Sequence, residues 1–216
     1  MGFVYNANSV DAEFAKVSLP PPALGYDLHQ GPRVPAAGEE AFWDLRKVSG
    51  YRNLPLSSFT YFTEESRIAD YDLGAYAGSR EWYNMMRGLT AQPVASPTCL
   101  TDPATGECEP VELWGDPVTF RGWVDGRKDA AGDRRIALTS GPFSLALGDS
   151  QEVVLSMVGG SGKDNRDAVT AMKRVDASAQ DAFNLNFELP RTVPEPALRV
   201  VELDKKIIFE DRKSVV

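Results

Sequence analysis

From Val118 to Met157 the apolar residues recur with a period of two: Val118 and Phe120, Ile136 and Leu138, Phe143, Leu145 and Leu147, then Val153, Leu155 and Met157. That period belongs to a strand with one buried face, and it predicts four strands. Between them stand GDP, DGRKDAAGD, TSGP and LGDS, clusters that turn a chain through positive φ, a fixed φ or side-chain-to-backbone bonding. Asp116, Asp125, Asp133 and Asp149 therefore read first as turn residues at strand ends. They form a site only if the fold holds two of them across a cleft.

After Gly162 the period lengthens. Ala168, Met172, Val175, Ala179 and Ala182 or Phe183 mark one face of a helix from about Asp164 to Asn186, with Asp164 as its cap. SREWYNMMRGL, residues 79–89, spaces Trp82, Met85, Met86 and Leu89 for a short helix capped by Ser79, with Gly88 near its stop. LSSFTYFT suits a strand. Residues 1–38 include SLPPPALGYDLHQGPRVPAAG, too rich in Pro and Gly for a helix and poor strand material, so an extended cover is expected there. PRTVPEPA, residues 190–197, reads as a stiff linker. Residues 198–216 read as the first hairpin of another β-module that the chain does not complete. The expectation is a β-rich domain over 1–189: mainly β, an antiparallel sandwich-like arrangement with one long helix, packed on a sheet face, and one short helix.

The 216 residues are 43% apolar, enough for a substantial core, and the net charge of -8 opposes a surface that tracks phosphates. Nucleic acid is thus excluded as an expected partner. No apolar run is long enough to span a bilayer, and the first residues lack the charged-then-apolar order of a signal peptide.

Two cysteines, Cys99 and Cys108, bracket a segment whose Pro103 and Gly106 favour reversal. A disulfide is expected, and with it an oxidising compartment. The one histidine, His29, leaves no basis for a Cys/His metal site. Calcium is the one ion for which ligands are spaced: DYDLGAYAGSRE puts Asp70, Asp72 and Glu81 at the first, third and twelfth positions of a twelve-residue loop. The fifth-position ligand and the sixth-position Gly are missing, replaced by Gly74 and Ala75.

Motifs for catalysis and organic cofactors fail on particular residues. VVLSMVGGSGKDN suggests a nucleophile elbow at Ser161, but Lys163 occupies the place of the closing Gly; it suggests a phosphate loop, but Asp164 follows GK. With His29 as the sole imidazole, expected to be hydrogen-bonded or solvent-facing, no catalytic serine centre is expected. Of Arg134 and Arg135, one is expected to be partly buried against Asp116 or Asp125. Trp43, Trp82, Trp114 and Trp123 would serve a core if buried and a sugar platform if exposed.

The phrases PPALGYDLHQGP, WYNMMRGL, GDPVTFRGWVDG, GDRRIALTSGPFSLALGDSQEVV and DAVTAMKRVDASAQDAFNLNFELP, followed by a Pro-rich linker, cover most of the chain. Together they resemble a domain of large, uncharacterised secreted proteins of the Bacteroidota and Ignavibacteria, which often carry fibronectin type III-like modules and a type IX secretion sorting domain. The resemblance implies a β-rich fold, a secreted or cell-surface location and neighbouring modules of the same polypeptide as partners. It supplies no reaction. The expected function is an extracellular structural or adhesion module. The alternatives are a carboxylate-dependent glycan or ester hydrolase, with calcium as its candidate ion, and a carbohydrate- or peptide-binding domain meeting a surface glycan or protein.

Overall fold

The computed structural model describes residues 1–62, 74–188, 198–204 and 206–211. They divide into two units, Met1–Asn186 and Phe187–Val216. The architecture is mainly β and antiparallel, as the sequence predicts.

In the first unit, β1 (Gly2–Val4), β2 (Ala23–Gln30) and β7 (Val154–Gly160) form a sheet in the order β1-β2-β7. Strands β3 (Arg33–Trp43) and β4 (Arg46–Asn53) form a hairpin, and β5 (Leu56–Phe62) pairs with β6 (Arg135–Ser140). Three helices accompany them: α1 (Ala12–Ala15), α2 (Tyr76–Met86) and α3 (Asn165–Asn184). The second unit contains a hairpin of β8 (Leu198–Leu203) and β9 (Lys206–Asp211), at the place expected for one. The linker expected at 190–197 lies outside the described residues.

The prolines of the N-terminal segment do not prevent strands, contrary to expectation. Pro20–Pro22 precede β2, Pro32 stands between β2 and β3, and Pro35 lies beside the register shift of a two-stranded sheet. None interrupts a central ladder, and β2, drawn from the supposed cover, is the middle strand of its sheet. The β3–β4 turn places Asp44 and Leu45 at φ 50° and 56°, the paired positive values of a tight hairpin turn that matches strand twist.

Two of the four strands predicted from alternation form, β6 and β7, but the alternating Leu155 and Met157 of β7 are exposed and Val158 is the buried residue. Val118 and Phe120 lie instead in a tight reversal closed by the Asp116–Arg121 bridge. Phe143, Leu145 and Leu147 are exposed and unpaired in irregular chain between Gly141 and Gly148. Alternation marks what a strand can bury; here the flanking turns leave this segment no partner strand.

Helix α3 starts where predicted, with the Asp164 carboxylate accepting the N–H groups of Arg166 and Asp167. Its Ala168, Val169 and Met172 are fully buried against Ala23 and Val158 of the sheet. Val175, expected on that face, is about half exposed. Close approach requires glycine on the sheet side, since a Cβ at Gly160 would stand 2.2 Å from Met172 N and 2.5 Å from Ala168 O. The opposite face meets β5 and β6 along β1: a Cβ at Gly2 would collide with Phe59 and approach Leu138. Elsewhere on that face Leu24, Tyr26, Leu155 and Met157 are exposed, so the β5–β6 pair meets the sheet only at its β1 edge.

Helix α2 begins earlier than predicted and is not capped by Ser79. Ala75 is the cap residue and has no side-chain cap bond, while Ser79 Oγ donates back to Ala75 O from within the helix.

Candidate functional site

Strand β5 is buried on both faces, from Ser58 to Phe62. One edge pairs with β6; the other takes Pro110–Glu112, with Phe59 N donating to Pro110 O at 3.1 Å and Glu112 N donating to Phe59 O at 2.9 Å. That second segment is delivered by a clasp. Cys99 and Cys108 are disulfide-bonded, as predicted, and the Leu89–Cys99 and Thr101–Cys108 bridges hold the loop on both sides.

Glu112 is thereby carried into the protein, 3% exposed. Among the described residues its carboxylate accepts one hydrogen bond, from Tyr61 N at 3.4 Å. Burial pushes its pKa up to about 7, with Asp129 adding to the rise and Lys128 and the Tyr61 N–H opposing it. Beside it, Tyr61 Oη donates to Asp129 Oδ2, and burial together with that bond pushes the phenol pKa up, so Tyr61 stays a neutral donor.

Glu112 and Tyr61 line a cleft of about 1130 Å³ whose walls also include Phe3, Tyr5, Trp114 and Phe120. Burial separates the four tryptophans. Trp123 is 1% exposed and belongs to the core, whereas Trp114 is 52% exposed on the cleft. Trp43 carries the Arg33 guanidinium over its ring at 3.7 Å, and Trp82 packs edge-on to Phe62.

The Trp114 indole is fixed although exposed. Its Nε1 donates to buried Asp102 at 3.0 Å, and one ring face lies on Gly122, where a Cβ would stand 2.3 Å from Cζ3. Gly122 also needs its positive φ of 74°. Bonds from Ala104 N–H and the indole hold Asp102 below the ordinary carboxylate range. Phe120, 48% exposed, sits at φ 57°, a conformation unfavourable for a bulky residue, with Arg166 Cζ 4.0 Å from its ring centroid.

Of the acids predicted at strand ends, Asp116, Asp125 and Asp149 are turn or tie residues, and Asp133 is exposed in irregular chain before β6. Asp116 accepts from Val118 N, Thr119 Oγ1 and Lys173 Nζ, and chiefly the Lys173 bond holds its pKa down at about 2. Asp149 accepts from Ala146 N. Asp125 receives Arg134 on both oxygens, at 2.9 Å and 3.0 Å, which is the predicted buried-arginine pair. Arg134 precedes β6 and is not part of the strand.

Glu81 of the calcium proposal accepts from Gln92 Nε2; Asp70 and Asp72 lie outside the described residues. Among the described residues no cluster of three metal-binding side chains occurs. The His29 side chain is buried, not solvent-facing: Nδ1 meets Gln180 Oε1 at 3.2 Å, the ring stacks on Phe183, and among the described residues Nε2 has no hydrogen-bond partner. Ser161 is exposed at the end of β7.

Glu112, Tyr61 and Phe120 are the cleft residues that motif reading misses. One signal was present: VELW places a lone acid inside an apolar run. Among the described residues no helix is long and apolar enough to cross a membrane. No protein-family model, curated protein or solved structure matches the chain.

Proposed function

We propose that this chain is an extracellular module of a larger surface protein that binds glycan in the Trp114 cleft without transforming it. The observation that carries the reading is Trp114 itself. An indole half in water, clamped at its edge by Asp102 and on one face by Gly122, is a preorganised stacking surface, and a second exposed ring, Phe120, shares its cleft. Fixed rings bind flat apolar faces at little entropic cost, and the polar wall supplies hydrogen bonds to hydroxyls. The disulfide supports the extracellular part of the reading.

The hydrolase alternative draws on Glu112, whose raised pKa suits a proton donor. A second, free carboxylate would be needed as base or nucleophile. Asp125 is held on both oxygens by Arg134, and the other acid of the lining, Asp133, is exposed in irregular chain before β6, whereas Trp114 is fixed in place, which favours binding over hydrolysis. Screening the purified protein against immobilised glycans, beside Trp114→Ala, tests the reading: bound glycans are expected to be lost in the variant. Equal binding by both proteins would place the ligand elsewhere.

A further inference from the structure

We infer that the cleft takes an uncharged, polyhydroxylated ligand of the oligosaccharide class, and that Glu112 meets it as a neutral carboxyl group, so that affinity falls as pH rises through neutrality. The inference rests on the glycan reading of the cleft and adds its charge class and its regulation.

Most charges of the wall are already matched. Arg134 is spent on Asp125, and the Met1 ammonium on Asp27. Two exposed charges of opposite sign remain on the lining, Asp133 and Arg166, and Arg166 lies over Phe120. Such a surface offers donors and acceptors without an unmatched charge to attract an ionic ligand.

Glu112 is the exception, because among the described residues it has no cationic partner within ion-pair distance. The groups facing it are Tyr61 from β5, which gives one backbone N–H, and Lys128 and Asp129 from the loop before β6, which act on it with opposite sign. Its carboxyl is nearly enclosed before any ligand arrives. A ligand that covers it removes the remaining water and favours the protonated form further. In that form the group can donate to one hydroxyl and accept from another; ionised, it must be buried as an unpaired charge. Protonation and ligand binding therefore support each other. If the bound ligand raises the pKa by about one, affinity changes about tenfold across the transition.

The test is isothermal titration with neutral hexasaccharides of β-1,4-glucose, β-1,4-mannose and α-1,4-glucose, and with a galacturonic acid hexamer, at pH 5.5 and 8.5. A neutral hexamer is expected to bind about tenfold more weakly at pH 8.5, and Glu112→Gln to remove that dependence while still binding. Asp129→Asn, a second variant, is expected to move the transition to lower pH. Equal affinity at both pH values, or preference for the uronate, overturns the inference and leaves the glycan reading standing. Failure of wild-type protein to bind any hexamer at either pH overturns both. If Glu112→Gln does not fold, the two wild-type titrations decide the matter.

Discussion

Helix α3 on its sheet and the Glu112 wall of the cleft are both buried, by opposite means. Under α3 lie Ala23, Val158, Ala168, Val169 and Met172, an apolar set whose stability comes from area removed from water and from close packing. Around β5 the enclosed residues include Ser58, Thr60, Asp102 and Glu112. Ser58 Oγ donates to Met86 O at 2.8 Å, but the Glu112 carboxylate accepts a single long bond among the described residues. Nearby, Leu113 and Phe120 hold positive φ. The first region is apolar at its centre, although His29 Nε2, Ser156 Oγ and Asp176 Oδ1 are buried around it with no hydrogen-bond partner among the described residues. The second keeps an undersatisfied acid and unfavourable backbone beside an open cleft, which is where proteins tend to hold strain and shifted pKa values for function.

The comparison can be broken most forcefully at Gly160. Valine there would drive its Cβ into the α3 backbone, where no side-chain rotation gives relief. A loss of ~4 kcal/mol or more in chemical denaturation, or failure to fold, is expected. A loss below ~1 kcal/mol would mean that α3 is not seated as closely as described. Next comes the clasp. Replacing Cys99 and Cys108 together by Ser is expected to cost about 2–3 kcal/mol for a loop of this length, and to loosen Pro110–Glu112 more than α3. Amide exchange separates the two: faster exchange at Glu112 N with α3 unchanged is expected, and uniform acceleration would show that the halves unfold as one.

Glu112 sharpens the comparison through pH. Its folded pKa, about 7, lies above the ordinary 4.5. Between those values the folded state holds the extra proton, so this group's favourable contribution is present below 4.5 and is lost as pH rises to about 7. The whole excursion corresponds to roughly 3 kcal/mol. Glu112→Gln is therefore expected to stabilise the protein by about 2 kcal/mol at pH 8, allowing for partial relaxation, and by nothing at pH 4. Urea midpoints at the two pH values check it; an equal effect at both would detach the result from ionisation.

The same contrast explains what the sequence disclosed. The α3 face, the Asp164 cap and β7 are local patterns, legible because period and capping chemistry belong to neighbouring residues. The disulfide was legible because its ends lie nine positions apart. Glu112 gains its setting from a parallel contact with Phe59, over fifty residues earlier in the chain, and from a clasp closed elsewhere. No local pattern records such a contact. Phe120 was misread for a related reason: it alternates with Val118 as a strand residue would, but the Asp116–Arg121 bridge turns the chain and points it into the cleft lining.

Phe120 also gives the smallest expected effect on stability and the most selective test of the division. Glycine at this position would release the cost of φ 57°, about 1 kcal/mol for a non-glycine residue. It would also forfeit the Arg166 contact, about 0.5–1 kcal/mol at an exposed site, and add flexibility to the unfolded chain. These terms nearly cancel, so Phe120→Gly is expected to change the unfolding free energy by less than ~1 kcal/mol in either direction. Were the ring part of the core, its removal would cost about 3–5 kcal/mol. Binding is expected to respond differently: with half of the stacking surface gone, affinity for any glycan bound by wild type is expected to fall at least ~10-fold, the equivalent of ~1.4 kcal/mol. A variant that binds normally but unfolds easily would place Phe120 with Met172 among the structural residues. A stable variant that has lost its ligand would show that the protein tolerates this backbone conformation for the sake of the ring it presents.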